Sequence, residues 1–319
     1  MEGYTSKFIK ALVKIYGVLA LIIFITYIVS FIVGIFCIFL TPQGILFQSK
    51  IFQSLRLNIL YFQSIRISTE INALQIFLIL HLIFAISFLS CFFSYRRYPI
   101  FDLIWNGNFK HIKENFLILM PAISSSLFIM TLILHSIFER VGIEVGGPSY
   151  EDPLFALISL SYATISEEIG FRLIPILIPI GIYVFFKSKA KPSHFILAIL
   201  KPRMIYSKDG TLNILQFSLI FISALQFSYA HIAFEVWNIG KIPSSFIAGI
   251  VIGFCAVRYG FDAAILIHWY FNYYWYVMLL PKKLGYDLEL FNFSFALALY
   301  TVIILAIYFI SLANQKLLG

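Results

Sequence analysis

Long apolar blocks fill most of the chain, and polar positions are largely confined to the short stretches between them. A run of about 20 apolar residues is what an α-helix needs to cross a bilayer. Such runs extend from Ala11 to Leu40, Leu74 to Tyr95, Phe116 to Phe138 and Leu154 to Phe186. A fifth begins near Leu212 and passes His231, and others cover Ser244 to Tyr259, Ala263 to Leu280 and Phe293 to Leu312. The pattern predicts an all-α polytopic membrane protein of about eight transmembrane helices, a single integral membrane domain over residues 1–319 with loops but no soluble domain. The fourth run is longer than a bilayer demands, so Pro175 and Pro179 are expected to kink it. Helix five is expected to continue past His231 toward Ile239. The first run is too long for the apolar core of a cleavable signal and lacks a clear cleavage site, so it reads as a signal anchor.

Composition agrees with lipid as the solvent. Hydrophobic residues make up 61% of the chain and charged residues 12%, against roughly 25% charged in a soluble domain. The net charge of +8 is unevenly placed. The loop after the fourth run carries Lys187, Lys189, Lys191, Lys201, Arg203 and Lys208 against Asp209 alone, and the loop after the second carries Arg96, Arg97, Lys110 and Lys113. The loop between them in sequence instead holds Glu139, Glu144, Glu151 and Asp152 with Arg140. Basic loops mark the cytoplasmic side, which places both termini in the cytoplasm. The stretch Thr41 to Asn72 then lies outside despite Lys50, Arg56 and Arg66, and is expected to lie along the interface as an amphipathic piece. Its compactness and lack of an organelle signal suggest a prokaryotic plasma membrane. The lipid bilayer is the expected partner, with no nucleic acid. Cys37, Cys91 and Cys255 fall inside apolar runs with no short-spaced pair, which argues against disulfides and thiolate metal sites.

The chemistry concentrates in a few polar groups inside these runs. Ser166-Glu167-Glu168-Ile169-Gly170-Phe171-Arg172 sits in a segment otherwise free of charge from Leu154 to Phe186. A charge at mid-membrane costs roughly 2.5–3.5 kcal/mol on insertion scales, so such groups are paired, face water, or do chemistry. Glu168 and Arg172 are one helical turn apart and can form an ion pair. Glu167 points about 100° away and is open to another partner, as a general base would be. Phe227 and His231 share a face late in the fifth run, and His268 and Asn272 share one in the seventh. His81 and His135 have no acidic or amide partner at helical spacing and read as structural, while His111 and His194 read as solvated loop residues. The aromatic run Trp269 to Tyr276 reads in part as an interface belt, the alternative being the lining of a lipid-accepting cavity. Gly249 and Gly253 allow close helix contact, within the bundle or with a second copy.

Taken in order, Glu167-Glu168…Arg172, Phe227…His231 and His268…Asn272 resemble the three motifs of the CPBP family (CAAX protease and bacteriocin-processing, also called Abi or Rce1-like), an intramembrane protease family. The resemblance covers roughly residues 154–281. Gly170 departs from the family pattern, standing where a bulky apolar residue is usual, as does Leu173, where glycine is common. The resemblance implies helices enclosing an intramembrane cavity open to the cytoplasm or the lipid, and hydrolysis of a peptide bond in a membrane-associated substrate, a C-terminally lipidated, CAAX-like tail being one option. Glu167 and His231 would hold and deprotonate a water, His268 and Asn272 would donate to the oxyanion, and Glu168, Arg172 and Phe227 would organise them. The family was long labelled metalloprotease. A zinc ion would take Glu167, His231 and His268, but an asparagine suits an oxyanion donor better than a ligand, so no cofactor is expected. There is no His-Glu-x-x-His, no Gly-x-Ser-x-Gly and no Gly-x-Gly-Asp in the chain. The competing readings are a non-catalytic membrane scaffold and a proton-coupled transporter, since intramembrane Glu and His also mark proton relays.

Overall fold

The structure is a computed structural model and describes residues 2–60, 63–95, 100–107, 115–188, 191–206, 214–233 and 237–318. In chain order its elements are α1 (Glu2–Phe39), α2 (Pro42–Phe47), β1 (Ile51–Ile59), β2 (Gln63–Asn72), α3 (Ala73–Tyr95), α4 (Ile100–Asn106), α5 (Phe116–Arg140) and α6 (Pro153–Glu168). A π-helical segment, Ile169–Leu177, joins α6 to α7 (Ile178–Ser188). There follow α8 (Phe195–Leu200), α9 (Pro202–Tyr206), α10 (Ile214–Ala233), α11 (Ile242–Tyr259) and α12 (Phe261–Trp269). A second π segment, Tyr270–Tyr274, leads into α13 (Trp275–Lys283), and α14 (Leu290–Leu318) is the last element. Among the described residues seven helical stretches are long and apolar enough to cross a membrane, α6 through α7 counting as one. The run Ala263 to Leu280, expected as a further span, is helical but divided among α12, the second π segment and α13. The chain is an all-α polytopic membrane protein carrying one small hairpin.

Two compact units divide the chain, residues 1–37, 89–130 and 274–319 in one and residues 38–88 and 131–273 in the other. In the first, Leu12, Val13 and Tyr16 of α1 pack with Ile118 of α5 and with Leu305 and Tyr308 of α14. The buried Tyr16 hydroxyl donates to the Ile118 carbonyl, as a phenol removed from water requires. In the second, His81 Nδ1 meets the Phe77 carbonyl at 2.9 Å and its Nε2 meets the Tyr273 hydroxyl at 2.8 Å. His135 Nε2 lies 2.9 Å from Ser244 Oγ. Both histidines are thus held by local partners, and His194 is exposed; His111 lies outside the described residues. The three cysteines are buried thiols. The aromatic run is not an interface belt: Trp269, Tyr270, Tyr273, Tyr274 and Trp275 are all buried within the protein.

The stretch Thr41 to Asn72, expected as an amphipathic piece, is largely a hairpin. After the short α2 it forms an antiparallel hairpin, β1 pairing with β2 from Ile51↔Asn72 to Ile59↔Gln63. The physical reason is visible in Ser54-Leu55-Arg56-Leu57-Asn58-Ile59 and Ser64-Ile65-Arg66-Ile67. Polar and apolar residues alternate there with period two, which suits a strand and would scatter around a helix. The hairpin is fastened to α6. Asp152 caps α6 by accepting from the Leu154 and Phe155 N–H groups, and Lys50 pairs with it at 3.4 Å. Phe52 stacks on Phe155 with centroids 5.5 Å apart. The Tyr162 hydroxyl donates to the Arg56 carbonyl at 2.9 Å.

Pro175 sets the geometry where α6 gives way to the π segment. Proline has no N–H to offer the carbonyl one α-turn earlier, that of Phe171, and a π-helical register is a common way to absorb such a gap. The Phe171 carbonyl is taken instead by the Ser223 hydroxyl of α10, which joins α10 to the π segment. α11 packs on α10 through its glycines. A Cβ on Gly249 would stand 3.0 Å from Ala224, and one on Gly253 3.0 Å from Ile220, so the small-residue face serves packing within the bundle. α10 is described past His231 as far as Ala233; residues 234–236, on which its expected continuation toward Ile239 falls, lie outside the described residues, and the Trp237 N–H donates to the His231 carbonyl at 3.2 Å.

The hairpin reaches the π segment at Gly170. The Leu60 N–H donates to the Gly170 carbonyl at 3.3 Å, and a Cβ on Gly170 would fall 1.8 Å from the Asn58 carbonyl oxygen. Glycine therefore stands here because the strand occupies the space a side chain would fill. Gly170→Ala is expected to lift β1 off the π segment at a cost of about 1–3 kcal/mol, the usual range for overpacking. Hydrogen exchange checks this: amides of residues 54–60 should lose protection while α10 and α11 keep theirs. Unchanged protection in the hairpin would contradict the contact.

Candidate active site

One buried carboxylate holds the polar cluster together. Glu168 and Arg172 are both 0% exposed. Glu168 Oε1 lies 3.2 Å from an Arg172 guanidinium nitrogen and 2.7 Å from His268 Nδ1. The guanidinium sits over the Phe227 ring, 4.1 Å from its centroid, a cation–π contact that suits arginine where water is excluded. Phe227 is placed for this by the Ser223 bond one turn earlier on α10. Its ring also packs edge-on against Phe171, His231 and His268, at centroid distances of 5.2, 4.7 and 6.0 Å.

His268 links the two acids. Its Nδ1 side faces Glu168, and its Nε2 lies 3.2 Å from Asn272 Nδ2 and 3.5 Å from Glu167 Oε2. The hydrogen-bond network assigns the proton to Nδ1, donated to Glu168, and leaves the Nε2 lone pair to accept from Asn272. The second π segment opens just after His268 and contains Asn272, so both motifs meet at helical irregularities of the kind often found at functional sites. His231 is held from its own helix, Nδ1 bonding to the Phe227 carbonyl at 2.7 Å. That leaves its Nε2 available to the cavity.

These groups line a cavity of about 610 Å³, a size suited to a bound organic group or short peptide. Glu167, His231, His268 and Asn272 all contribute to its walls. Glu167 is the more open acid, its side chain 27% exposed against 0% for Glu168. All seven residues singled out from the sequence are thus brought together within one unit.

The remaining walls come from residues the motif reading did not single out. Arg56 and Asn58 of β1, Ser64 of β2, Tyr150, Trp237 and Lys241 all face the cavity. Lys241 sits over the Trp237 ring, 4.0 Å from its centroid. Its signal was a lone cation at the head of an apolar run, and that of Arg56 and Asn58 was the period-two alternation. Tyr150 lies outside the spans. Burial, and behind it the Glu167 carboxylate, push its phenol above the usual value, so it stays a neutral hydroxyl at the cavity wall.

A metal ion would need three donors converging on one point. Among the described residues no group of three or more His, Cys, Asp and Glu is arranged to hold one. The lone pair of His268 Nε2, which a metal would require, already accepts from Asn272.

Comparison with known proteins bears on the same region. No curated protein and no solved structure matches the chain significantly. One family model does, Rce1-like, described as type II CAAX prenyl endopeptidase Rce1-like, over residues 149–274. The match begins just before Tyr150, ends just past Asn272 and takes in every motif residue of the cavity, whereas the hairpin of residues 51–72 lies outside it. This stretch, which carries the acid pair, the arginine, both histidines and the asparagine, is similar to the Rce1-like family.

Proposed function

We propose that the protein is an intramembrane endopeptidase that hydrolyses a peptide bond in a membrane-associated substrate with a water activated by Glu167. The Rce1-like match supports a CAAX-type intramembrane protease in general. The observation that carries the finer reading is the asymmetry of the two acids: Glu168 is sealed against Arg172 and His268, while Glu167 is presented to the cavity.

In this reading Glu167 and the free Nε2 of His231 accept the two protons of one water in the cavity. Glu167 takes a proton as the water oxygen attacks the scissile carbonyl, then returns it to the departing amine as the carbon–nitrogen bond breaks. The oxyanion formed between these steps needs a donor. His268 is already engaged at both ring nitrogens, Nδ1 with Glu168 and Nε2 with Asn272. Asn272 has a second N–H and is the oxyanion donor, and His268 holds it in place. Glu168, Arg172 and Phe227 fix the ring of His268 from below. This chemistry needs no metal.

Proteoliposomes containing the purified full chain and a quenched-fluorescent peptide library test the reading. Glu167→Gln is expected to lower kcat by about 10²–10⁴, the range for loss of a general base, with the melting temperature unchanged. Turnover equal to wild type would remove Glu167 from its role, and ion flux without cleavage would point to a transporter.

Asn272→Ala is expected to lower kcat by about 10²–10³ with little change in KM, the mark of a donor felt in the transition state. Glu168→Gln should differ in kind, lowering thermal stability as well as kcat because it leaves Arg172 buried without its counter-charge. A Glu168→Gln protein as stable as wild type would contradict the positioning role.

A further inference from the structure

Positive charge is left over around the cavity. Glu168 and Arg172 answer one another at 3.2 Å. Among the described residues the cavity walls then hold one acid, Glu167, against two cations, Arg56 and Lys241. Elsewhere the chain pairs such cations, Lys50 with Asp152 at 3.4 Å and Lys201 with Asp262 at 2.7 Å. Among the described residues neither Arg56 nor Lys241 is in an ion pair.

Neither cation sits where its own element favours it. Arg56 on β1 stands directly opposite Arg66 on β2, and like charges facing each other across a hairpin are destabilising. Asn58 and Ser64, also opposite one another, lie on the same face two residues along and line the cavity with Arg56. The hairpin's share of the walls is therefore polar and cationic. Lys241 is the N-cap of α11, where the helix end already carries partial positive charge. Its ammonium is held over the Trp237 ring, 4.0 Å from the centroid, and that ring centroid lies 6.4 Å from that of His231. An ionisable group kept at a membrane-embedded site without a partner of its own marks the path of a ligand.

We propose that Arg56 and Lys241 form an anion subsite that binds a carboxylate of the peptide substrate, either its chain terminus or an acidic side chain, close to the bond that is cleaved. That the ligand is a peptide rests on the endopeptidase reading; the unpaired cations do not. The subsite lies outside the motifs, Arg56 before the family match and Lys241 between His231 and His268. The cavity of about 610 Å³ brings both long side chains into one small space. A carboxylate there accepts from the guanidinium fork and from the ammonium and neutralises the charge that the walls leave over. Because Trp237 links Lys241 to His231, the anchored carboxylate sets which bond of the substrate lies at the hydrolytic water.

Binding to the full-length Glu167→Gln protein, in nanodiscs of zwitterionic lipid, tests this without turnover. The probe is a library of apolar heptapeptides in three matched forms: a free C-terminal carboxylate, an amidated end, and an amidated end with one aspartate in the chain. Retained peptides are quantified by mass spectrometry. At least one acidic form should be retained about tenfold or more over the plain amide, the least that a hydrogen bond to a charged group contributes, and the form retained tells terminus from side chain. Lys241→Gln and Arg56→Gln, each added to this protein, should reduce that preference, while Lys241→Arg keeps it. A purely structural role would shift the melting temperature and leave the ratio alone. Equal retention of the three forms, retention of none, or a preference unchanged in both Gln variants would overturn the proposal. Binding of a fluorescent phosphatidylglycerol that falls in the same two variants, with the three peptide forms retained alike, would assign the cations to a lipid headgroup and overturn it too. An acidic preference without cleavage by the wild-type chain would sink the endopeptidase reading and leave the subsite standing, so the two failures are told apart.

Discussion

A carboxylate and a guanidinium held at 0% exposure inside a lipid-embedded bundle form the constraint on which the site depends. Removing either ion from water carries a penalty of several kcal/mol even after relaxation, and their attraction offsets it only with good geometry and added partners. Glu168 and Arg172 obtain those partners from other helices: His268 of α12 for the acid and the face of Phe227 of α10 for the cation. The same arrangement that makes the charges tolerable therefore fixes the imidazole and the aromatic ring around which the cavity is built. Glu167, one residue away, lies 3.5 Å from His268 Nε2 and faces the cavity.

The backbone makes this convergence possible at two irregular points. Pro175 leaves the Phe171 carbonyl without its α-helical donor, and Ser223 satisfies it from α10, which places Phe227 one turn further on against Arg172. Gly170, in the same segment, leaves room for the Asn58 carbonyl, which seats the hairpin at the cavity. Gly170 and the strand that lies outside the family match therefore depend on one another. A bulky residue at 170 and this hairpin cannot coexist.

Much of this was legible in the chain because helical spacing is a local rule. Glu168 with Arg172, Phe227 with His231 and His268 with Asn272 each declare a shared face, and buried charge needs partners wherever it occurs. What was hidden depends on contacts distant in sequence. The Trp237 N–H returns to the His231 carbonyl, and no local propensity marks that return. Residues 51–72 carried a period-two signal, but the stretch with Lys50, Arg56 and Arg66 was legible only as an amphipathic piece, not as a hairpin. The aromatic run from Trp269 looked like a membrane belt, since composition alone does not distinguish rings facing lipid from rings packed in a core. Arg56, Tyr150 and Lys241 belong to the site through tertiary placement, and no motif spacing picks them out.

The central claim is that Glu168 and His268 act as a bonded pair that holds the site's geometry. The most direct measurement is a double-mutant cycle on unfolding free energy in mixed micelles, using Glu168→Gln, His268→Gln and both together. Residues in one buried network couple by about 0.5–3 kcal/mol, whereas independent sites add within about 0.3–0.5 kcal/mol. The account predicts a coupling of at least about 1 kcal/mol for this pair. Strict additivity would mean that the two side chains do not share a bond, and the site described here would lose its foundation.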